Sequence, residues 1–144
     1  MHAFLDNPAL ALFALTGSLL AIHLLLLALW TGTVRVLRKA WVNPEDAKLN
    51  KGDNVEVDHP DVQRVKRAHL NAIESFVPFF AVGLLFALTN PSVTAAKAYF
   101  FTFLAVRVLH SIFYLWGRQP FRTLMFAVGV LTMLGMGVQV IMAA

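Results

Sequence analysis

The sequence predicts an all-α integral membrane protein, a single domain over residues 1–144 built as a four-transmembrane-helix bundle. Three observations lead there. Of 144 residues, 58% are hydrophobic and 14% are charged, against roughly 25% charged in soluble domains. Four apolar stretches recur along the chain, and roughly 20 residues suffice to cross about 30 Å of hydrocarbon. Between them, turn residues punctuate the chain at Asn43-Pro44 and Gly52, at Asn90-Pro91, and at Gly117 and Pro120.

The first helix is expected over about 8–39. Ala9 to Val34 is interrupted mainly by His23 and small hydroxyls. A secretory signal is not expected: no basic region precedes the stretch, only His2 and Asp6 as ionisable residues, and it exceeds the roughly 7–15 residues of such an apolar region. In the loop that follows, Asn43-Pro44-Glu45-Asp46 reads as a helix start, with Asn43 capping and Pro44 at the first helical position. Asp46 could act electrostatically on a nearby site, although capping accounts for the segment without it.

The second helix, over about 61–89, enters its apolar run through Arg64, Lys66, Arg67, His69, Asn71 and Glu74. One Arg or Lys at a bilayer centre costs about 2.5–3.5 kcal/mol on insertion scales. Such groups must be paired, line a wet cavity or bind something charged. Arg67, Asn71, Glu74 and Pro78 fall at i, i+4, i+7 and i+11, one stripe descending on the order of 10 Å from the surface. That stripe suits a zwitterionic ligand: Arg for a carboxylate, Glu for an ammonium, Asn for an amide. The plainer alternative is an interhelical ion pair of Glu74 with Arg107, the favoured expectation for those two residues. It leaves Arg67 and Asn71 unexplained.

The third helix, over about 92–116, carries Lys97, Arg107 and His110, with Arg107, His110 and Tyr114 at i, i+3 and i+7. Tyr114 reads equally well as an interfacial belt residue. The fourth, over about 120–143, opens with Arg122 two residues after Pro120 and has no formal charge from Thr123 onward. Arg122 also reads as an ordinary membrane-edge cation.

Charge sets the orientation. Arg35, Arg38, Lys39, Lys48, Lys51, Arg64, Lys66 and Arg67 belong to the first loop and its flanks, and Arg118 and Arg122 to the third, while the opposite side holds only Lys97. The positive-inside rule then places loops one and three in the cytoplasm and both termini across the membrane. The short loops fit a bacterial inner membrane, with the endoplasmic reticulum also open. The net charge of +4 therefore belongs to a membrane face, and no nucleic-acid module accompanies it. With no cysteine in the chain, disulfides, thiolate metal sites and a protein thiol nucleophile are excluded, and no metal site is expected. A haem ligated by two histidines needs them at matched depth. His23 projects nearer the middle than His69 and His110, which disfavours it. His69, beside Arg67 and Asn71, is expected to hydrogen-bond its neighbours.

Read together, these segments resemble the MAPEG family (membrane-associated proteins in eicosanoid and glutathione metabolism), from about Thr31 to the C-terminus. The residues that carry the resemblance are Thr-Gly-x-Val-Arg at 31–35, Ala-x-x-Asn-Pro-Glu-Asp-Ala at 40–47 and Asp-Val-x-Arg-Val-x-Arg-Ala-His-Leu-Asn-x-x-Glu at 61–74. Pro78-Phe79, Arg107-x-x-His-x-x-x-Tyr and Pro120-x-Arg122 complete them. The resemblance implies a homotrimer with glutathione bound between subunits near the cytoplasmic face. Arg67, Asn71, Glu74, His110, Tyr114 and Arg122 would contact it from one subunit, and Arg35 from the next. Arg122 would hold the sulfur as thiolate, with Tyr114 or Thr123 donating a hydrogen bond, and Asp46 matches an aspartate proposed to assist prostaglandin isomerisation. Leu70, Thr123 and Phe126 depart from the prostaglandin E synthase branch, whereas Arg-Ala-His-Leu-Asn and Phe126 look like the microsomal glutathione transferase 1 branch. The expected activity is thus conjugation of glutathione to lipophilic electrophiles, with glutathione-dependent peroxidase activity on lipid hydroperoxides beside it. A prostaglandin E synthase-like isomerase and a non-catalytic lipid-binding protein are the alternatives.

Overall fold

Asn43-Pro44 and the other turn signals divide the chain into α1 (Pro8–Arg38), β1 (Ala40–Trp41), α2 (Pro44–Asn50), β2 (Asp53–Asn54), α3 (Pro60–Leu88), α4 (Val93–Trp116) and α5 (Gln119–Ala143). The structure is a computed structural model that describes residues 6–144. Helices α1, α3, α4 and α5 are each long and apolar enough to cross a membrane, the four-helix bundle expected from the composition. Helix α1 packs on α3 and α4, and α5 packs on α4 and α3.

Caps fix the helix ends. The Asn7 side-chain oxygen accepts the Leu10 N–H at 3.0 Å, while its amide donates to the Ala87 carbonyl at 3.1 Å. One side chain thereby caps α1 and ties it to the far end of α3. Ser92 caps α4 by accepting the Ala95 N–H at 3.2 Å. Gly117 closes that helix in the left-handed region, at φ 70°, where glycine carries no steric penalty.

The first loop holds more structure than a helix start. Strands β1 and β2 pair in parallel, Ala40 opposite Asp53 and Trp41 opposite Asn54, with α2 as their connection. Gly52 is required there, since a Cβ at this position would lie 1.8 Å from the ring of the buried Trp41. Asn43 occupies the N-cap position of α2 but makes no capping bond. Its amide instead donates to the Asp46 carboxylate at 3.0 Å, so the expected cap is not formed.

The core divides along the axis of the bundle. Towards the second loop it is aromatic: Phe79 stacks on Phe103 with ring centroids 4.3 Å apart, and Phe13, Phe76, Phe86 and Phe100 surround the pair. Towards the first and third loops it turns polar. There His23 of α1 and Ser111 of α4 share a hydrogen bond of 2.9 Å, and Arg107 and His110 lie buried.

Candidate functional site

The polar end of the bundle opens into a cleft of about 280 Å³ between α3, α4 and α5. Asn71, His110, Tyr114, Arg122, Thr123 and Phe126 line it. Helix periodicity explains the convergence: His110 and Tyr114 stand one turn apart on α4, while Arg122, Thr123 and Phe126 belong to the first two turns of α5. The Arg122 guanidinium carbon sits 4.6 Å from the centroid of the Tyr114 ring, a cation–π contact that holds a flexible cation in one place. His110 meets Tyr114 edge-on at 5.8 Å and Phe126 at 6.3 Å. Phe126, read in the sequence only as a departure between branches, is thus a wall of this cleft.

Behind the cleft lies Arg107, 1% exposed. One of its terminal nitrogens donates to the Asn71 side-chain oxygen at 2.7 Å and to the Asn71 carbonyl at 3.2 Å. The expected ion pair of Arg107 with Glu74 is not formed. Glu74 stands three residues beyond Asn71, a rotation of roughly 60° around α3, and is exposed on the single chain. The consequence for Asn71 is specific: with its oxygen taken by Arg107, the amide N–H groups remain as donors for the cleft. The cleft lining has one guanidinium and no carboxylate, which suits an anion. Arg107 Nε and His110 Nδ1 are buried without a protein partner.

Arg35 and Arg67 lie elsewhere. With Thr31, Gln63, Lys66 and His69 they line a groove of about 700 Å³ between α1 and α3, and no residue is common to groove and cleft. The stripe of Arg67, Asn71, Glu74 and Pro78 therefore runs along the lip between the two, with Asn71 turned inward. His69 lies on the groove side and makes none of the hydrogen bonds to Arg67 or Asn71 expected of it. Asp46, held by Asn43, lines neither space.

One acidic residue escaped the sequence reading. Asp58, 7% exposed, accepts from Arg35 Nε and Nη2 at 3.3 Å each and from Lys66 Nζ at 2.9 Å. Burial pushes its carboxyl up, but hydrogen bonds from Lys66 and Arg35, with their charges, outweigh that and hold it below the ordinary carboxylate value.

Comparisons with known proteins identify the family. The model of the MAPEG family matches residues 13–142. The human prostaglandin E synthase is 36% identical over 141 residues, 97% of this chain and 93% of that protein. The mouse microsomal glutathione S-transferase 1 is 36% identical over 135 residues, 90% of this chain and 86% of that protein. Identity therefore does not separate the two relatives. The chain belongs to the MAPEG family, and its four apolar helices make it a multi-pass integral membrane protein.

Proposed function

We propose that this protein is a membrane-bound glutathione transferase. The observation that carries the reading is the cleft itself, in which Arg122, stacked on Tyr114, meets Asn71, His110 and Thr123 with no carboxylate among them. A free thiol has a pKa of about 8.5 and is only a few per cent thiolate at neutral pH. A guanidinium within about 4–6 Å lowers such a pKa by 1–3 units. Arg122 stabilises the glutathione thiolate in this way, and Tyr114 or Thr123 donates a hydrogen bond to the sulfur. The Asn71 amide donates to a peptide carbonyl or carboxylate of the tripeptide.

The thiolate attacks an electrophilic carbon of a membrane-dissolved substrate. A C–S bond forms, and the leaving group departs with its electron pair. With a lipid hydroperoxide, the same thiolate displaces the alcohol at oxygen, and a second glutathione reduces the resulting sulfenic acid to disulfide and water. Charged glutathione enters from water and its partner from lipid, which accounts for a polar cleft with a single cation at the bilayer edge.

The separation of groove and cleft supports an assembly of several copies: a site that uses Arg35 as well as Arg122 is complete only when a neighbouring copy brings its groove to the cleft. The family resemblance makes that assembly a homotrimer. Exposed Arg67 and Glu74 on the lip of α3 would be costly against lipid and are covered there, where they bind the tripeptide. By the positive-inside rule, the cationic loops support a site at the cytoplasmic face with the termini across the membrane.

Purified protein in lipid nanodiscs, given glutathione and 1-chloro-2,4-dinitrobenzene, forms the conjugate with stoichiometric loss of thiol. Turnover of prostaglandin H2 without glutathione consumption, in protein inert towards the dinitrobenzene, selects the isomerase instead. Calorimetry that detects no glutathione binding leaves a lipid-binding protein.

A further inference from the structure

The Asp58 cluster lies outside the catalytic cleft. Asp58 occupies the turn before α3, and its own carbonyl is pinned by Gln63 Nε2 at 2.8 Å. From that fixed base its carboxylate takes two parallel bonds from one edge of the Arg35 guanidinium, at 3.3 Å each. Lys66 Nζ lies on the same carboxylate at 2.9 Å. Nε is thereby committed, and so is one N–H of Nη2. Nη1 and the outer edge of the guanidinium remain for a ligand, and the Arg35 side chain is 29% exposed.

We infer that Asp58 is a positioning residue: it holds Arg35 so that the free edge of its guanidinium meets the glutathione anion of the neighbouring subunit. This rests on the proposed glutathione site. An arginine side chain is otherwise mobile, and ordering it on binding lowers affinity. A bidentate carboxylate removes that freedom beforehand. Asp58 has a second, opposing effect. Its negative charge offsets Arg35 and Lys66, and taken alone that weakens attraction for an anion. The sign of a substitution therefore separates the two roles. Asp58→Asn keeps the size of the side chain, removes the charge and loses one acceptor. If charge governs, the KM for glutathione falls; if positioning governs, it rises.

The test is steady-state conjugation in nanodiscs for wild type, D58N, R35A, K66M and the D58N/R35A double variant, with melting curves for each. The expected result is a KM for glutathione about tenfold higher in D58N, with kcat within about twofold of wild type. The double variant matches R35A alone, because Asp58 acts through Arg35. K66M lowers the positive charge of the groove and serves as the reference for a purely electrostatic effect on KM. A lowered or unchanged KM in D58N overturns the inference while leaving the glutathione site standing, provided R35A raises KM. So does a D58N effect that persists at full size in the R35A background. An R35A variant with wild-type KM removes Arg35 from the site, and the inference with it. A general loss of structure is read separately, as a lowered melting temperature with kcat falling alongside.

Discussion

The two ends of the bundle use the same helices in opposite ways. Around Phe79 and Phe103 the interior is closed, with rings stacked at 4.3 Å and no side chain that asks for a partner. One turn along α4 from Phe103 stands Arg107, equally buried, bonded only to the amide and carbonyl of Asn71. A bundle shaped for stability alone would pair that guanidinium with a carboxylate or replace it with an apolar side chain. It does neither. The aromatic end is complete in itself, whereas the polar end leaves Arg107 Nε and His110 Nδ1 without acceptors or donors. Buried groups of that kind are few in native proteins. Their concentration behind one cleft marks the end that is organised around a guest.

The largest effect should come from removing the cleft's own cation. Arg122→Ala is expected to reduce conjugation on the order of 10²-fold, the scale of one preorganised charge donor, with little change in melting temperature. Arg122→Lys should recover part of the rate, since it restores the charge without the planar stack on Tyr114. Full activity in R122A would move the thiolate elsewhere. The aromatic end should respond in the reverse sense. Phe79→Ala in a soluble core would cost about 3–5 kcal/mol, but in lipid the transfer from water is missing and lost packing remains. We expect about 2 kcal/mol lower stability by unfolding in mixed micelles, with kcat unchanged while the protein stays folded.

The four spans were legible because an apolar run of bilayer length has few other solutions. The first loop was legible only in part. Two-residue strands carry no periodicity, so the pairing of Ala40–Trp41 with Asp53–Asn54 left no pattern to read. The polar stripe on α3 was visible from its spacing, but spacing could not tell which member turns inward. Asn71 rather than Glu74 meets Arg107, a matter of roughly 60° around the helix that depends on where α4 lies. Asp58 went unnoticed for a similar reason: its partner Arg35 is 23 positions away, and nothing local singles it out. Asn43 shows the limit of a motif, since the right residue at the right place bonds to Asp46 instead of the backbone.

Arg107 offers a finer probe of the contrast between the two ends. Arg107→Met has similar bulk and no charge, so it extends the aromatic end's character by one turn. Replacing a buried ion by an apolar side chain is often neutral or stabilising, and the melting temperature should hold or rise. The Asn71 amide would lose the bond that orients it, and we expect a KM for glutathione raised about tenfold, the scale of a charge-assisted hydrogen bond. A lowered melting temperature with unchanged KM would assign Arg107 to the scaffold.

The smallest effect concerns pH. Asp58 has a folded pKa held below its ordinary value by Lys66 and Arg35. A group with a depressed folded pKa contributes stability that is present above its unfolded pKa, about 3.9 for aspartate. That contribution is lost as pH falls through the folded value. The stability difference between wild type and D58N should therefore be flat from pH 8 to about 5 and shrink only below about 4. Differential melting of the two proteins across that range measures it. A difference that already declines between pH 7 and 5 would mean that Asp58 takes up a proton there and that the clamp on Arg35 is open in part at working pH.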